Sequence, residues 1–227
     1  MPGDGPARPL KTEDDETAGS LDPEKVARNA KRASDKARSN LRRFIVANGL
    51  TRMWTPTYAK AEWDRDKVTA DVNDWLQRLR EYLGENFPAA YVIEEHPGGH
   101  GLHVHVALQS RFIDKDVMQS LWGHGLVQFS DGNKAVQKAK GKRAQARMLA
   151  RYLCKYMAKA WADNHLAGQH RYEVTQGFGV KVTGHRFRTL VEAVRWLGRE
   201  EGPASSEWSS EQIEDWHGPP CRVFTWD

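Results

Sequence analysis

The chain has 227 residues, a formal net charge of +4 and an isoelectric point near 9.0, with 39% hydrophobic and 10% aromatic residues. This length fits one domain with flanking segments and supplies enough apolar side chains for a core. No apolar run approaches the ~20 residues of a membrane span, the N-terminus lacks a signal-peptide pattern, and two distant cysteines argue against a disulfide framework. These features predict a cytoplasmic protein without membrane contact.

Charge is unevenly distributed along the chain. Residues 1–24 carry seven acidic side chains against two basic ones, and residues 200–227 carry seven against one, so residues 25–199 hold a net charge of +15. A basic body between acidic ends favours a polyanion such as nucleic acid as the partner. A basic surface that is merely solvated is the alternative that charge alone leaves open.

Composition divides the chain into three segments. Residues 1–20 contain almost no large apolar side chain and are predicted to be disordered. The folded domain is expected over 21–198, and it begins with a basic helix that has Pro23 in its first turn. Residues 199–227 are predicted to form an acidic, tryptophan-rich tail.

The next elements follow from residue type and spacing. Aromatic and β-branched residues predict a strand over 53–58, in which Pro56 calls for an edge position or a bulge. Apolar residues at three- and four-residue spacing predict a helix over 64–83. A strand over 89–95, a glycine-rich turn and a strand from about Leu102 then predict a β-hairpin.

The second hairpin strand alternates apolar residues with two histidines. Alternation places His103 and His105 on one face and leaves the other face for the core. Two imidazoles on one face suit a divalent metal ion, although two ordinary histidines produce the same pattern. A carboxylate of the first strand joins them, either Glu94 or, if the register differs by one residue, Glu95.

A basic stretch follows in the second half of the domain. Residues 134–159 include nine lysines or arginines and no acidic residue, and Gly141 indicates a mobile loop before a helix that begins near residue 144. Tyr152 and Tyr156 lie four residues apart, on one face of this helix, and each is followed three residues later by a lysine. Half-buried packing tyrosines are the simpler alternative.

Taken in this order, the motifs resemble those of HUH endonucleases, which are metal-dependent enzymes that nick single-stranded DNA. The similarity is closest to two-tyrosine rolling-circle replication initiators, or Rep proteins, of the phage gene A kind. Residues 54–58 are similar to the first motif, from which Pro56 departs, residues 94–105 to the second and residues 152–159 to the third. The resemblance covers roughly residues 40–180.

The resemblance implies an α+β fold, with helices on one face of a central antiparallel sheet and the metal and tyrosine site on the other. It implies that His103, His105 and Glu94 bind Mn²⁺ or Mg²⁺. It further implies that a tyrosine attacks a DNA phosphate, forms a 5′-phosphotyrosine bond and releases a 3′ hydroxyl. The implied catalytic residues are Tyr152, Tyr156, Lys155 and Lys159.

The implied substrate is single-stranded or hairpin origin DNA in a prokaryotic cell. No P-loop motif is present, so a host helicase and a DNA polymerase are the expected partners. Contacts to DNA phosphates are expected from Lys134, Lys138, Lys140, Lys142, Arg143, Arg147 and Arg151.

Other readings of the same motifs stay open. A relaxase or a transposase of the HUH class carries related motifs, and a non-catalytic relative that only binds DNA would share the basic surface. Ala107 argues against a histidine-triad hydrolase, which would have a third histidine at that position.

Overall fold

The structure is a computed structural model. It describes residues 22–96, 98–109, 111, 113–129, 132–162 and 172–225. The disorder predicted for residues 1–20 concerns residues outside these ranges. Within them, no helix has the length and apolar character needed to cross a membrane.

The described part of the chain contains six α-helices, one short 3₁₀ helix (Ser210–Gln212) and seven strands. The helices are α1 (Pro23–Ala47), α2 (Arg65–Leu83), α3 (Lys115–Trp122), α4 (Gly132–Lys138), α5 (Lys142–Ala162) and α6 (Leu190–Glu201). The strands are β1 (Leu50–Pro56), β2 (Ala89–Glu95), β3 (Leu102–Gln109), β4 (Val127–Phe129), β5 (Glu173–Val174), β6 (Ser206–Ser209) and β7 (Arg222–Thr225).

Five strands form one antiparallel sheet in the order β4-β1-β3-β2-β5. This sheet and the helices packed on it confirm the predicted α+β class with a central antiparallel sheet. Strands β6 and β7 pair separately as a two-stranded sheet, so the acidic C-terminal segment contains regular secondary structure of its own.

Helix boundaries follow the signals in the sequence. Asp22 caps α1 by accepting a hydrogen bond of 3.0 Å from the Glu24 amide, and Pro23 occupies the first turn. Asp64 caps α2 in the same way, and the helix ends at Gly84 in the left-handed conformation.

Each face of the large sheet has its own apolar core. On one face, Val104 and Val106 of β3 pack against Trp75 of α2 and Trp122 of α3. On the other face, residues such as Met53 and Ala107 pack against α1 and α5. The helices α1 and α5 thus cover the histidine face, in addition to the helix layer expected on the opposite face.

The environment of Pro56 differs from the prediction. Strand β1 lies inside the sheet, between β4 and β3, and its irregularity lies between Leu50 and Arg52 rather than at Pro56. Pro56 is the last residue of β1, and the pairing with β3 extends only to Trp54. The missing amide proton of Pro56 therefore removes no bond to β3.

The prediction of a loop before residue 144 is wrong for most of that stretch. Residues 132–138 form α4, and α5 begins at Lys142 after a short turn. Val136 of α4 is buried in the core, and the Gln145 side-chain amide donates to the Ala139 carbonyl across the turn at 3.3 Å. Gly141 adopts a positive φ of 86° in this turn, which suits glycine.

The connection between β1 and α2 runs close beside the start of β3. The Leu102 amide donates to the Glu62 carbonyl at 2.7 Å. Gly101, which precedes it, has φ 87°, and a Cβ there would lie 2.7 Å from both the nitrogen and the oxygen of Glu62. Only glycine permits this approach, so the connection and the histidine strand are held together at this point.

Candidate functional site

The β2–β3 hairpin places a carboxylate beside the two histidines. Its register pairs Glu94 with His103, and alternation along β3 brings His105 to the same face. Glu95 pairs with Leu102, on the opposite face, and is exposed. Of the two carboxylates that the sequence leaves open, Glu94 is the one that shares a face with the histidines.

His105 is held by polar neighbours at both ring nitrogens. Nε2 lies 3.0 Å from Oε2 of Glu94, and Nδ1 lies 3.3 Å from Oγ1 of Thr55 on β1. His105 and Glu94 are only 7% and 6% exposed. A partner on one nitrogen fixes the orientation of the ring and directs the other nitrogen to its ligand. The sequence does not single out Thr55, although it lies within the 54–58 motif.

Three histidines lie close together at the turn of the hairpin. The ring of His103 lies 4.4 Å from that of His96, which lies 5.1 Å from that of His100. Burial, and then the nearby His96 and His105, lower the pKa of His103 below its usual value. This favours the neutral imidazole, which is the form that binds metals. His96 and His100 are missing from the predicted site, although they flank its glycine-rich turn.

Helix α5 brings the two tyrosines to the histidine face. The Tyr156 ring stacks on His105 with a centroid separation of 3.6 Å and an interplanar angle of 20°. Tyr152 meets Tyr156 edge-on at 5.2 Å. Burial, a hydrogen bond with Tyr152 and the charge of Glu94 raise the pKa of Tyr156 well above its usual value. Tyr156 therefore holds its proton and, as a nucleophile, needs assistance to lose it.

The two lysines that accompany the tyrosines are less closely tied to the site. Lys155 is exposed on α5. Lys159 belongs to the same helix, but its side chain lies outside the described part of the chain. A role for either lysine in activating a tyrosine stays a prediction.

The cations expected to contact DNA lie on α4, on α5 and in the turn between them. Six of the seven are exposed and one, Arg147, is partly buried. The exposed six are Lys134, Lys138, Lys140, Lys142, Arg143 and Arg151. The structure thus keeps the charge of this stretch on the surface, at the N-terminal half of the helix that carries the tyrosines.

The donor set of the site suits a divalent metal ion. Two imidazoles and a carboxylate are the ligand types of metal sites that keep positions open for water and substrate. Among the described residues, however, no three His, Cys, Asp or Glu side chains already converge on one point that could hold a metal. Glu94 contacts His105, whereas the ring of His103 lies against that of His96. Joint binding of one metal ion by the three side chains therefore requires a side-chain rearrangement.

Comparison with known proteins gives one match. Residues 51–161 match the family model described as replication-associated protein ORF2/G2P. No curated protein and no solved structure matches significantly. The matched segment runs from β1 through nearly all of α5, so it includes the hairpin and both tyrosines. The chain is therefore similar over these residues to replication-associated proteins.

Proposed function

We propose that this protein is a metal-dependent nickase and strand transferase that initiates rolling-circle replication through a 5′-phosphotyrosine intermediate. The observation that carries the proposal is the stacking of Tyr156 on His105, whose Nε2 contacts Glu94. A phenol nucleophile is thereby held against the imidazole and carboxylate pair of the candidate metal site. The match to replication-associated proteins agrees with this chemistry.

His103, His105 and Glu94 would hold the metal ion, Mn²⁺ or Mg²⁺. When bound, the ion supplies Lewis-acid stabilisation of the charge that develops on the scissile phosphate. The Tyr156 phenol loses its proton as its oxygen attacks the phosphorus, the bond between the phosphorus and the 3′ oxygen breaks, and that oxygen takes up a proton. The strand then carries a free 3′ hydroxyl, and the protein is joined to the 5′ phosphate.

The two tyrosines differ in their positions, which supports different roles. Tyr156 contacts His105, whereas Tyr152 contacts Tyr156 and lies one helical turn earlier on α5. We assign the first attack to Tyr156. Tyr152 then hydrogen-bonds the attacking phenol during the first step and serves as the acceptor in a second strand transfer, which ends a round of replication. Lys155 and Lys159 stabilise the phenolate or the phosphate.

The partners follow from this activity. The substrate is single-stranded or hairpin origin DNA, and a polymerase extends the 3′ hydroxyl. The sequence contains no P-loop motif, so we assign unwinding to a separate host helicase. These partners place the protein in the cytoplasm of a prokaryotic cell.

Covalent adduct formation tests the proposal directly. The protein is mixed with Mn²⁺ and dye-labelled single-stranded oligonucleotides tiled across the DNA that flanks its gene, and the products are separated on a denaturing gel. We expect a labelled band at the mass of protein plus DNA that disappears with EDTA. Tyr156→Phe should remove most of the first-step adduct, and Tyr152→Phe should reduce it less.

The control is Tyr82→Phe, because Tyr82 is an exposed tyrosine of α2. It should form the adduct at the wild-type rate. If the wild type forms no adduct with any oligonucleotide while DNA binding is intact, the proposal fails and the non-catalytic DNA-binding alternative replaces it. A double Tyr152→Phe/Tyr156→Phe variant that still forms the adduct would exclude both tyrosines as nucleophiles.

A further inference from the structure

A basic groove lies between α1 and α5, at the end of α5 that is remote from the tyrosines. It encloses about 810 Å³. None of the described residues that line it is acidic or aromatic. Its walls combine five cations with aliphatic side chains, and these are Arg42, Arg43, Lys142, Arg143 and Lys181 with Val46, Val180 and Val182.

Helix α1 extends this basic surface beyond the groove. Nearly all side chains of its N-terminal half, from Glu24 to Lys36, are exposed. The exposed cations at positions 25, 28, 32 and 36 lie on one side of the helix, and Arg43 lies on the same side at the groove. The 18 residue steps from Lys25 to Arg43 span about 27 Å along the helix, which corresponds to about eight base pairs of duplex DNA.

A second row of cations leaves the groove along α5. Residues 143, 147, 151 and 155 are all lysine or arginine and lie four residues apart. Each four-residue step advances about 40° around a helix, so the row winds gradually across the outer surface of α5. The row begins at Arg143 in the groove and ends at Lys155. This lysine lies next to Tyr152 and Tyr156 on the surface of α5.

We propose that this groove, together with the exposed half of α1, binds the phosphate backbones of duplex DNA, and that the row on α5 leads one strand from the duplex to the tyrosines. This inference rests on the proposed nickase function. The ligand is then DNA with a paired stem and a single-stranded extension, such as a hairpin origin. The duplex site lies outside the histidine and tyrosine site and adds Arg42, Arg43 and Lys181 to the cations of α4 and α5.

The chemistry of the groove favours duplex over single-stranded DNA. Sites that bind single strands without reading sequence combine cations with aromatic rings on which the bases stack. The described residues that line the groove offer cations, aliphatic side chains and the Thr183 hydroxyl, but no aromatic ring. Rows of cations without stacking surfaces instead fit a duplex, whose bases are already stacked and whose outer surface is phosphate.

The test compares binding of a hairpin with binding of an unpaired strand. Fluorescence anisotropy is measured in EDTA, so that no cleavage occurs, with a dye-labelled hairpin that has a stem of about 11 base pairs to match the length of α1. The second probe is a single strand of equal length that cannot pair. The variant is Arg43→Gln/Lys181→Gln, and the matched control is Lys60→Gln/Lys115→Gln, which removes two exposed lysines outside the groove.

We expect the groove variant to bind the hairpin about tenfold more weakly. The slope of log affinity against log salt concentration should become shallower by about two, because two phosphate contacts are lost. Its affinity for the single strand should change less than threefold, and the control should follow the wild type with both probes. All three proteins should have the same Tm, because the replaced side chains are exposed.

Two results would overturn the duplex assignment. One is hairpin binding by the groove variant equal to that of the wild type. The other is an equal loss of affinity for both probes, which would assign the groove to single strands. Because binding in EDTA requires no nicking, either result leaves adduct formation by the wild type as a separate test of the proposed function.

Discussion

Helices cover both faces of the central sheet, but the side chains buried on the two faces differ in polarity. The face towards α2 and α3 is apolar, and Val104 and Val106 of β3 meet two tryptophans there. The face towards α1 and α5 includes Glu94 and His105 among its buried residues, beside an apolar core of similar extent. One strand, β3, supplies both sets through the alternation of its side chains.

This difference shows how a polar site is kept inside a small domain. Buried polar groups destabilise a fold unless they have hydrogen-bond partners, and here Thr55, Glu94 and Tyr156 surround His105. On the apolar face the buried indole nitrogen of Trp75 donates to a backbone carbonyl, and the other contacts of the core between sheet and helices are mainly apolar packing. We expect substitutions on the apolar face to affect stability first, and substitutions on the histidine face to affect function first.

The largest effect on stability is expected at the centre of the apolar face. Trp75→Ala should lower the free energy of unfolding by about 3–5 kcal/mol, because Trp75 is fully buried and its indole donates to the Met118 carbonyl. Urea denaturation measures the change. Trp63→Ala is the matched control, since Trp63 is 52% exposed, and it should cost little. Equal losses for the two variants would contradict the packing role of this face.

Metal binding should stabilise the protein through the histidine face alone. A free concentration of Mn²⁺ at 100 times its Kd should raise the free energy of unfolding by about 2.7 kcal/mol, which a thermal shift detects. Glu94→Gln should remove most of this gain. Glu95→Gln should keep it, because Glu95 lies on the other face of the same strand. A gain retained by Glu94→Gln would exclude this carboxylate as a ligand.

Neighbouring positions of β3 allow the two faces to be compared within one strand. Val104→Ala should cost about 2 kcal/mol of stability, because Val104 is completely buried, and should leave the Mn²⁺ shift intact. His105→Gln should cost less stability and abolish the shift, since glutamine can keep a hydrogen bond with Glu94. Chemical denaturation with and without Mn²⁺ checks both variants. Loss of the Mn²⁺ shift in Val104→Ala, together with its retention in His105→Gln, would contradict the assignment of stability to one face of β3 and metal binding to the other.

The smallest expected effect is a pH dependence that arises on the histidine face. Because the pKa of His103 is lowered in the folded state, the unfolded chain binds a proton more readily. This contribution to stability is complete above the unfolded value of about 6.5 and is lost as the pH falls through 6.5 towards the lower folded pKa. In EDTA, His103→Gln should flatten the fall in Tm over this window. An unchanged slope would assign the titration to other groups.

The sequence allows the hairpin and its face assignment to be predicted because both are local. A core shared by Tyr91, Ile93, Val104 and Val106 favours Glu94 over Glu95 as the carboxylate on the histidine face. The sequence leaves the choice open, and the register of the structure pairs Glu94 with His103. Helix α5 is similarly predictable, since its apolar stripe and its two tyrosines follow one period.

Contacts between distant parts of the chain could not be predicted in the same way. Thr55 meets His105 because β1 pairs with β3, and the two residues are 50 positions apart. The stacking of Tyr156 on His105 depends on how α5 packs across the sheet, which periodicity does not determine. Coverage of the histidine face by α1 is another such packing result, because the apolar Leu41 and Ile45 at the end of this helix do not reveal in the sequence which face of the sheet they pack against.

The close contact between Gly101 and the backbone of Glu62 predicts a result for genetic screens. Any side chain at this position would push the β1–α2 connection away from the start of the strand that carries His103 and His105. A random mutagenesis screen for loss of replication is therefore expected to recover Gly101 substitutions alongside changes at the tyrosines. Such mutants would resemble active-site mutants in their phenotype, although glycine contributes no functional group to the chemistry.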